Sequence, residues 1–294
     1  MGGWPDGMKM TQHLLCFGYG FSARHLAPDL LARGWTIAAS TRTTDPEPVS
    51  DIGLMSFDDV TAEDIAAASH LLISAPPSET GDPVLVRYRD LVAGSSTISW
   101  IGYLSTTGVY GNTDGALVDE SSPLNPSNAR SKYRVSAEAA WLSLFEEHGL
   151  PVHIFRLAGI YGSGRSALDQ VRAGRALRVE KPGHQFSRIH AADIANVLLA
   201  SIEASAPGSI YNVCDNEPAP QADVVAYACE LLGEPVLPLV PFEVAAESMS
   251  PMALSFWADN RRLDNTRIKE ELGVDLAYPT YREGLKAILG QETD

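Results

Sequence analysis

Two short runs near the start of the chain carry residue types that can hold a phosphate. Gly18-Tyr19-Gly20-Phe21-Ser22-Ala23 directly follows the apolar run Leu14–Phe17 and opens a segment in which Leu26, Leu30 and Leu31 recur at helical spacing. Two glycines permit a tight turn and let the backbone approach a pyrophosphate, a small residue at Ala23 lets the helix pack close to the strand, and the helix N-terminus then faces the anion. These six residues are therefore expected around a dinucleotide. An acid at the end of the second strand, about twenty residues past the glycines, would accept hydrogen bonds from the ribose 2′-hydroxyl of NAD. Here that strand ends in Ser40-Thr41-Arg42. Arg42 and the hydroxyls of Ser40 and Thr41 suit a 2′-phosphate, because a guanidinium makes charge-assisted bonds to it, so NADP is expected and NAD less so. An exposed arginine in a polar loop is the plainer alternative for Arg42. Asp58, or its neighbour Asp59, is the candidate for the adenine amino group, and Ala75, past the fourth strand, completes the cofactor set.

The run Ser105-Thr106-Thr107-Gly108-Val109-Tyr110-Gly111 resembles the Ser-Ser-x-x-Val-Tyr-Gly segment of extended short-chain dehydrogenases, including nucleoside-diphosphate-sugar epimerases. Later segments match that family in order: Arg156-Leu-Ala-Gly-Ile-Tyr161-Gly162, Arg188-Ile-His190-Ala-Ala-Asp193, Ile210-Tyr-Asn212-Val213, and a closing Tyr278-Pro279-Thr-Tyr281-Arg-Glu-Gly284. The resemblance covers nearly the whole chain. It implies that Thr106 holds the substrate oxygen and that a Tyr, with a Lys four residues on, follows in the next long helix. That pair is missing. Aligning Glu138 with the family's helix Glu puts Arg134 at the Lys position and Arg130 at the Tyr position; sliding to Lys132 puts Asn128 at the Tyr position, and Tyr133 is followed four residues later by Ala137. Arginine stays protonated and cannot replace a titrating phenol. The pattern is similar to the YeeZ-like atypical branch, which lacks the active-site Tyr and in which catalysis is unproven.

Any surviving hydride chemistry needs another proton carrier, and the resemblance places Tyr110, Tyr133 and His190 within reach; the side chain of His190 has the most suitable intrinsic pKa. Asp193 would orient it or begin the following helix. Arg130 and Arg134, four apart on a helix, emerge on one face roughly 6 Å apart at Cβ and could clamp a phosphate or carboxylate, Arg134 also reaching the cofactor. The alternative pairs Arg134 with Glu138 along a solvated face. Arg165, Arg172, Arg175, Arg178 and Arg188 concentrate positive charge in an acidic chain. With Arg130, Arg165 and Arg188 are the candidates for substrate contact, solvated surface arginines being the default for the rest. Trp100, Trp141 and Trp257 are expected to serve packing.

Positioning these groups calls for strands alternating with helices. Strands are expected near His13–Phe17, Thr36–Ser40, Ile52–Met55, His70–Ser74, Thr97–Gly102, Val152–Arg156 and Ile210–Val213. Helices are expected near Ser22–Arg33, Ala62–Ala68, Leu85–Ala93, Ala129–Glu147, Ala191–Glu203, Ala222–Leu232 and Asn265–Leu272. The alternation predicts an α/β fold, a doubly wound parallel Rossmann sheet, with a smaller C-terminal substrate lobe. The expected division is a flexible tail at 1–10, a dinucleotide-binding domain at 11–162 whose sheet is completed by about 186–214, and a lobe from 163–185 and 215–294. Pro235, Pro238, Pro241 and Pro251 mark an irregular stretch that could cover a cleft.

Bulk properties narrow the partners. With 294 residues, 45% of them hydrophobic, the chain can bury a large core. A formal charge of −15 disfavours general nucleic-acid binding. No apolar run is long enough for a membrane span, no signal peptide is evident, and Cys16, Cys214 and Cys229 fit no metal spacing or even disulfide framework, so a cytoplasmic protein with reduced thiols and no metal is expected. Family resemblance implies a possible homodimer through the helices near Leu85–Ala93 and Ala129–Glu147. Two functions remain open: an NADP-dependent oxidoreductase or epimerase acting on a small or nucleotide-linked carbonyl or alcohol without the usual pair, and a non-catalytic NAD(P)-binding sensor.

Overall fold

The computed structural model describes residues 12–43, 47–204 and 206–291, so the expected tail at 1–10 lies outside the described residues. Seven strands, β1 (His13–Phe17), β2 (Thr36–Thr41), β3 (Ile52–Ser56), β4 (His70–Ile73), β5 (Trp100–Thr106), β6 (Val152–Leu157) and β7 (Ile210–Val213), form one sheet. Its order is β7-β6-β5-β4-β1-β2-β3, with every neighbouring pair parallel. Leu14–Phe17 and His70–Ile73 are wholly buried, as parallel strands covered on both faces must be. The strand order reverses between β1 and β4, and the crevice outside their carboxyl ends is where doubly wound sheets bind ligands.

Two apolar layers sandwich the sheet. On one face the Phe21–Ala32 helix buries Leu26, Ala27 and Leu30 and packs on the Ala191–Ala204 helix. On the other, Pro83–Ala93 contributes Val84, Leu85, Tyr88 and Val92, and Ala129–His148 contributes Ala137, Trp141 and Leu144. Trp100 and Trp141 are core residues, as expected. A further core gathers Leu168, Val224, Ala228, Tyr281, Leu285 and Ile288 from the helices Ala167–Arg172, Gln221–Leu232 and Tyr281–Gln291, with Tyr161 from the short strand Gly159–Tyr161.

Two expectations are corrected. The fifth strand lies at Trp100–Thr106 rather than Thr97–Gly102: the Thr97 hydroxyl donates to the carbonyls of Ala66 and Ala68, and pairing with β4 begins only at Trp100. The proline-marked stretch is not irregular throughout. It holds a short strand, Leu239–Pro241, beside Arg178–Glu180, and helices Phe242–Ala246 and Pro251–Trp257, the last with Pro251 in its first turn and the Ser250 side chain as cap. Two more small parallel pairs, Gly159–Tyr161 with Arg188–His190 and Leu117–Val118 with Arg262–Leu263, tie these elements to the ends of β6 and β5.

Candidate functional site

The glycine turn sits at the switch point. Gly18 has φ +103, and a Cβ there would lie 3.0 Å from Ser74 Oγ and 3.1 Å from Ala75 N, so both backbone angle and neighbours demand glycine. The amides of Gly18 and Tyr19 donate to the Ser40 carbonyl at 3.1 and 3.0 Å, and Ser74 Oγ donates to the Gly18 carbonyl at 2.9 Å, which locks the turn to the ends of β2 and β4. Gly20 differs: a Cβ there would meet nothing closer than Ser74 Oγ at 3.8 Å. It begins the Phe21–Ala32 helix, which has no side-chain cap and no acid in its first turn. Orphan amides and an uncompensated positive helix end make a cradle for an anion.

Around this turn the expected cofactor residues come together unevenly. Ser22 and Ala23 are buried, Phe21 is half-buried, and Ala75 lies against Gly18. Ser40 is buried and its Oγ has no partner. Thr41 is half-buried with its hydroxyl turned to the Thr43 amide at 3.3 Å, and Arg42 is exposed. Asp58 is engaged by Arg87, whose guanidinium contacts its carboxylate and, at 2.8 Å, its carbonyl. Arg165 stacks over the Phe21 ring, 5.5 Å from its centroid, which brings a cation to the mouth of the turn.

Past the end of β5 a cleft opens in three connected compartments. Thr106 lines the inner two, its Oγ1 accepting from the Gly108 amide at 3.2 Å. The smallest, about 150 Å³, is walled by Thr106, Arg130, Ser131, Arg134, Asp259 and Arg261 among others. The next, about 400 Å³, shares Thr106, Phe256, Asp259 and Arg261 with it and extends past Leu157–Tyr161 and Gln185–Arg188. The third, about 530 Å³, shares Tyr161, Arg188, Gln221 and Trp257 and adds Arg165 and Arg175. Thr106, Arg130 and Arg134 thus meet at one end, and Arg165 and Arg188 at the other. The Arg188 guanidinium is aimed by the carbonyls of Phe186 and Ala219, at 2.8 and 3.0 Å.

Several expectations need correction here. Tyr110 carries no proton to the cleft: its hydroxyl is buried, donating to Asn212 Oδ1 at 2.7 Å and accepting from Arg156 Nη1 at 2.9 Å, and burial pushes its pKa up. Arg134 does not pair with Glu138. Glu138 faces inward to Arg156, with Nη2 to Oε2 at 2.8 Å, and accepts from Ser105, whereas Arg134 donates to Tyr103 Oη at 3.0 Å and the Leu104 carbonyl at 2.8 Å. His190 is packed between the rings of Tyr161 and Tyr278, lines none of the three compartments, and has its pKa lowered to about 4 by burial and then by His25. Its Nδ1 accepts from the Ala192 amide at 3.2 Å, which begins the helix. Asp193 does not orient it; that carboxylate accepts from the amides of Ala277 and Tyr278 at 2.7 and 3.0 Å and ties down the loop ahead of the Tyr281–Gln291 helix. Tyr133 is half-buried and also lines none of the compartments.

Several cleft residues escape the sequence reading. Phe256, Asp259 and Arg261 reach the Thr106 end from a segment about 150 positions later, and Trp257, expected only to pack, also walls the two larger compartments. Arg261 bonds the Gly111 carbonyl at 3.0 Å and Asp259 at 3.2 Å. The only usable signal was the cluster Asp259-Asn260-Arg261-Arg262 after an aromatic pair. Among the described residues no group of three or more His, Cys, Asp or Glu could hold a metal, and no helix is long and apolar enough to cross a membrane. All three cysteines are buried and free.

Residues 92–214 match the model of the NAD dependent epimerase/dehydratase family. The chain is 30% identical over 283 residues to protein YeeZ of Escherichia coli (strain K12), covering 89% of this chain and 94% of that one. Its fold matches a conserved protein of unknown function from Silicibacter pomeroyi DSS with TM-score 0.88 and 45% identity, over 97% of this chain and 100% of the other. A dTDP-glucose 4,6-dehydratase from Bacillus anthracis str. Ames, solved in complex with NAD, shares the fold with TM-score 0.77 and 18% identity, over 97% of each chain.

Proposed function

The chain belongs to the NAD dependent epimerase/dehydratase family, and on that footing we propose that it binds NADP(H) at the glycine turn and holds a nucleotide-linked carbonyl or alcohol in the adjoining cleft. Gly18–Ala23 would cradle the pyrophosphate, Ala75 would lie beside it, and Thr41 and Arg42 would take the 2′-phosphate, with Asp58 still offering one carboxylate oxygen to the adenine edge. Such a cofactor supplies a hydride acceptor or donor when bound. The observation that carries the reading is the uncapped helix start at Gly20, where the protein leaves room that its own packing does not need. The cleft supports the substrate class: a diphosphate would be met by Arg165 and Arg188, with Thr106 at the other end to hold a reacting oxygen.

A second reading, a dinucleotide-binding sensor without turnover, is favoured by one specific observation. The guanidiniums of Arg130 and Arg134 stand near Thr106, and neither can exchange a proton near neutral pH. Fluorescence titration of the purified protein with NADPH and NADH tests the shared core. Binding of NADPH at least roughly tenfold tighter than NADH, with that preference lost in Arg42→Ala, is the expected result, since a charge-assisted bond contributes about 1.5–3 kcal/mol. Equal affinity for both removes the NADP assignment; no binding of either removes the reading. Product formation from a panel of nucleotide sugars then separates enzyme from sensor.

A further inference from the structure

The smallest compartment has cationic walls. Arg130 and Arg134 rise from the first turns of the 20-residue Ala129–His148 helix, and Arg261 enters from the opposite side. Among the described residues that line it, Asp259 is the one carboxylate, and it is already paired with Arg261. Three guanidiniums against one carboxylate leave an excess of two positive charges, in a chain whose formal charge is −15. Two of the cations are fixed in place. Arg134 is anchored through Nη1 on Tyr103 and Leu104, and Arg261 through Nη1 on Gly111, while Arg261 Nε is buried with no partner. The volume, about 150 Å³, is below what a nucleoside-sized ligand needs.

We propose that this recess binds a small anionic group, a carboxylate or phosphate, carried at the reacting end of the substrate next to Thr106. A neutral hydroxyl accepts from at most two donors and leaves the excess positive charge unopposed, whereas a planar or tetrahedral oxyanion accepts from several forks at once and reaches the buried, unpartnered Arg261 Nε. The positive end of the long helix adds to the attraction, although Asn128 caps one of its amides at 3.0 Å. The substrate is thus acidic at both ends, with a diphosphate toward Arg165 and Arg188 and a second anion toward Arg134 and Arg261.

The inference rests on the cleft being a substrate site, so it is tested without nucleotide. Malonate and inorganic phosphate are titrated separately by calorimetry at constant ionic strength, with neutral malonamide as the control ligand. Saturable binding of either anion is expected, the tighter of the two naming the class. It should weaken roughly tenfold or more in Arg261→Met and in the double variant Arg130→Met/Arg134→Met, and by less than about twofold in Arg33→Met, a distant surface cation. If Arg261→Met does not fold, the double variant, whose sites are exposed at Arg130 and half-buried at Arg134, decides alone. Anion binding no better than malonamide, or unchanged in the double variant, overturns the proposal. A parallel NADPH titration keeps the two readings apart: anion silence with NADPH binding intact sinks the recess alone, and the converse sinks the cofactor assignment alone.

Discussion

The two ends of the crevice are built on opposite plans. At the β1 end the chemistry is backbone: amides, a carbonyl lock and two glycines within six residues, held by strands that neighbour it in the sheet. At the β5 end it is side chain: guanidiniums from Arg130, Arg134 and Arg261, seated on a buried network in which Arg156 joins Glu138, Tyr110 and Glu120. Away from Gly18, whose backbone angle and neighbours demand glycine, a backbone site tolerates sequence drift, because any residue but proline supplies an amide. Side-chain sites do not, and the departure from the family's Tyr and Lys falls entirely at the second end.

The largest expected effect probes the network under the β5 end. Glu138→Ala would leave Arg156 charged and buried, at 2% exposure, with no carboxylate, and should cost about 3–5 kcal/mol in urea unfolding. A loss under about 1 kcal/mol would mean that the pair is incidental and that the two ends differ less than their construction implies. Acid should act next. His70, His153, His184 and His190 are buried, and burial is the main cause that lowers each pKa from 6.5 to about 4. Each is neutral in the folded state and takes up a proton on unfolding, so its contribution is complete above about 6.5 and fades as pH falls toward 4. Asp215 runs the other way: burial raises its pKa from 3.8 to about 7, so acid stabilises it and offsets part of the loss. Burial also raises Asp82, Glu120 and Asp193, which adds to that offset, and lowers His13, which adds to the loss. The four large histidine shifts set the direction, so Tm is expected to fall between pH 6.5 and 4; a flat or rising Tm would contradict the packing assigned to these rings.

The smallest effect separates the two glycines. Gly18→Ala forces a side chain to φ +103 and against Ser74, and should lower stability by about 1–3 kcal/mol whether or not cofactor is present. Gly20→Ala should leave stability within about 0.5–1 kcal/mol of wild type, because its new methyl meets only Ser74 Oγ at 3.8 Å, yet weaken NADPH binding by crowding the cradle. Equal loss of stability in both variants would show that the room at Gly20 serves packing instead of a ligand.

Much of this was legible before folding. Apolar runs at His13–Phe17 and Ile210–Val213 match the strands residue for residue, and the long helices differ at their ends by a position or two, because parallel strands and amphipathic helices write their burial into local periodicity. The fifth strand slipped by three residues at its start since Ile98 and Trp100–Leu104 form one apolar stretch with no internal mark of where pairing begins. The Tyr281–Gln291 helix is absent from the sequence expectations: its segment enters only as a family match, and its apolar face packs on Tyr161 and Leu168, far away in the chain.

Side-chain partners were the hidden part. Glu138 and Arg134 stand one helical turn apart, so spacing alone pairs them, but the helix is pressed on the sheet and Arg156 waits at the end of β6. Tyr110 and His190 had the right chemical type for proton transfer and the wrong surroundings. The glycine turn needed nothing beyond its neighbours in sequence, since a tight turn and a helix start are short-range facts of the backbone. The cationic recess needed residues 106, 134 and 261 brought to one point, and burial against partners remote in the chain chose which charges face the cleft.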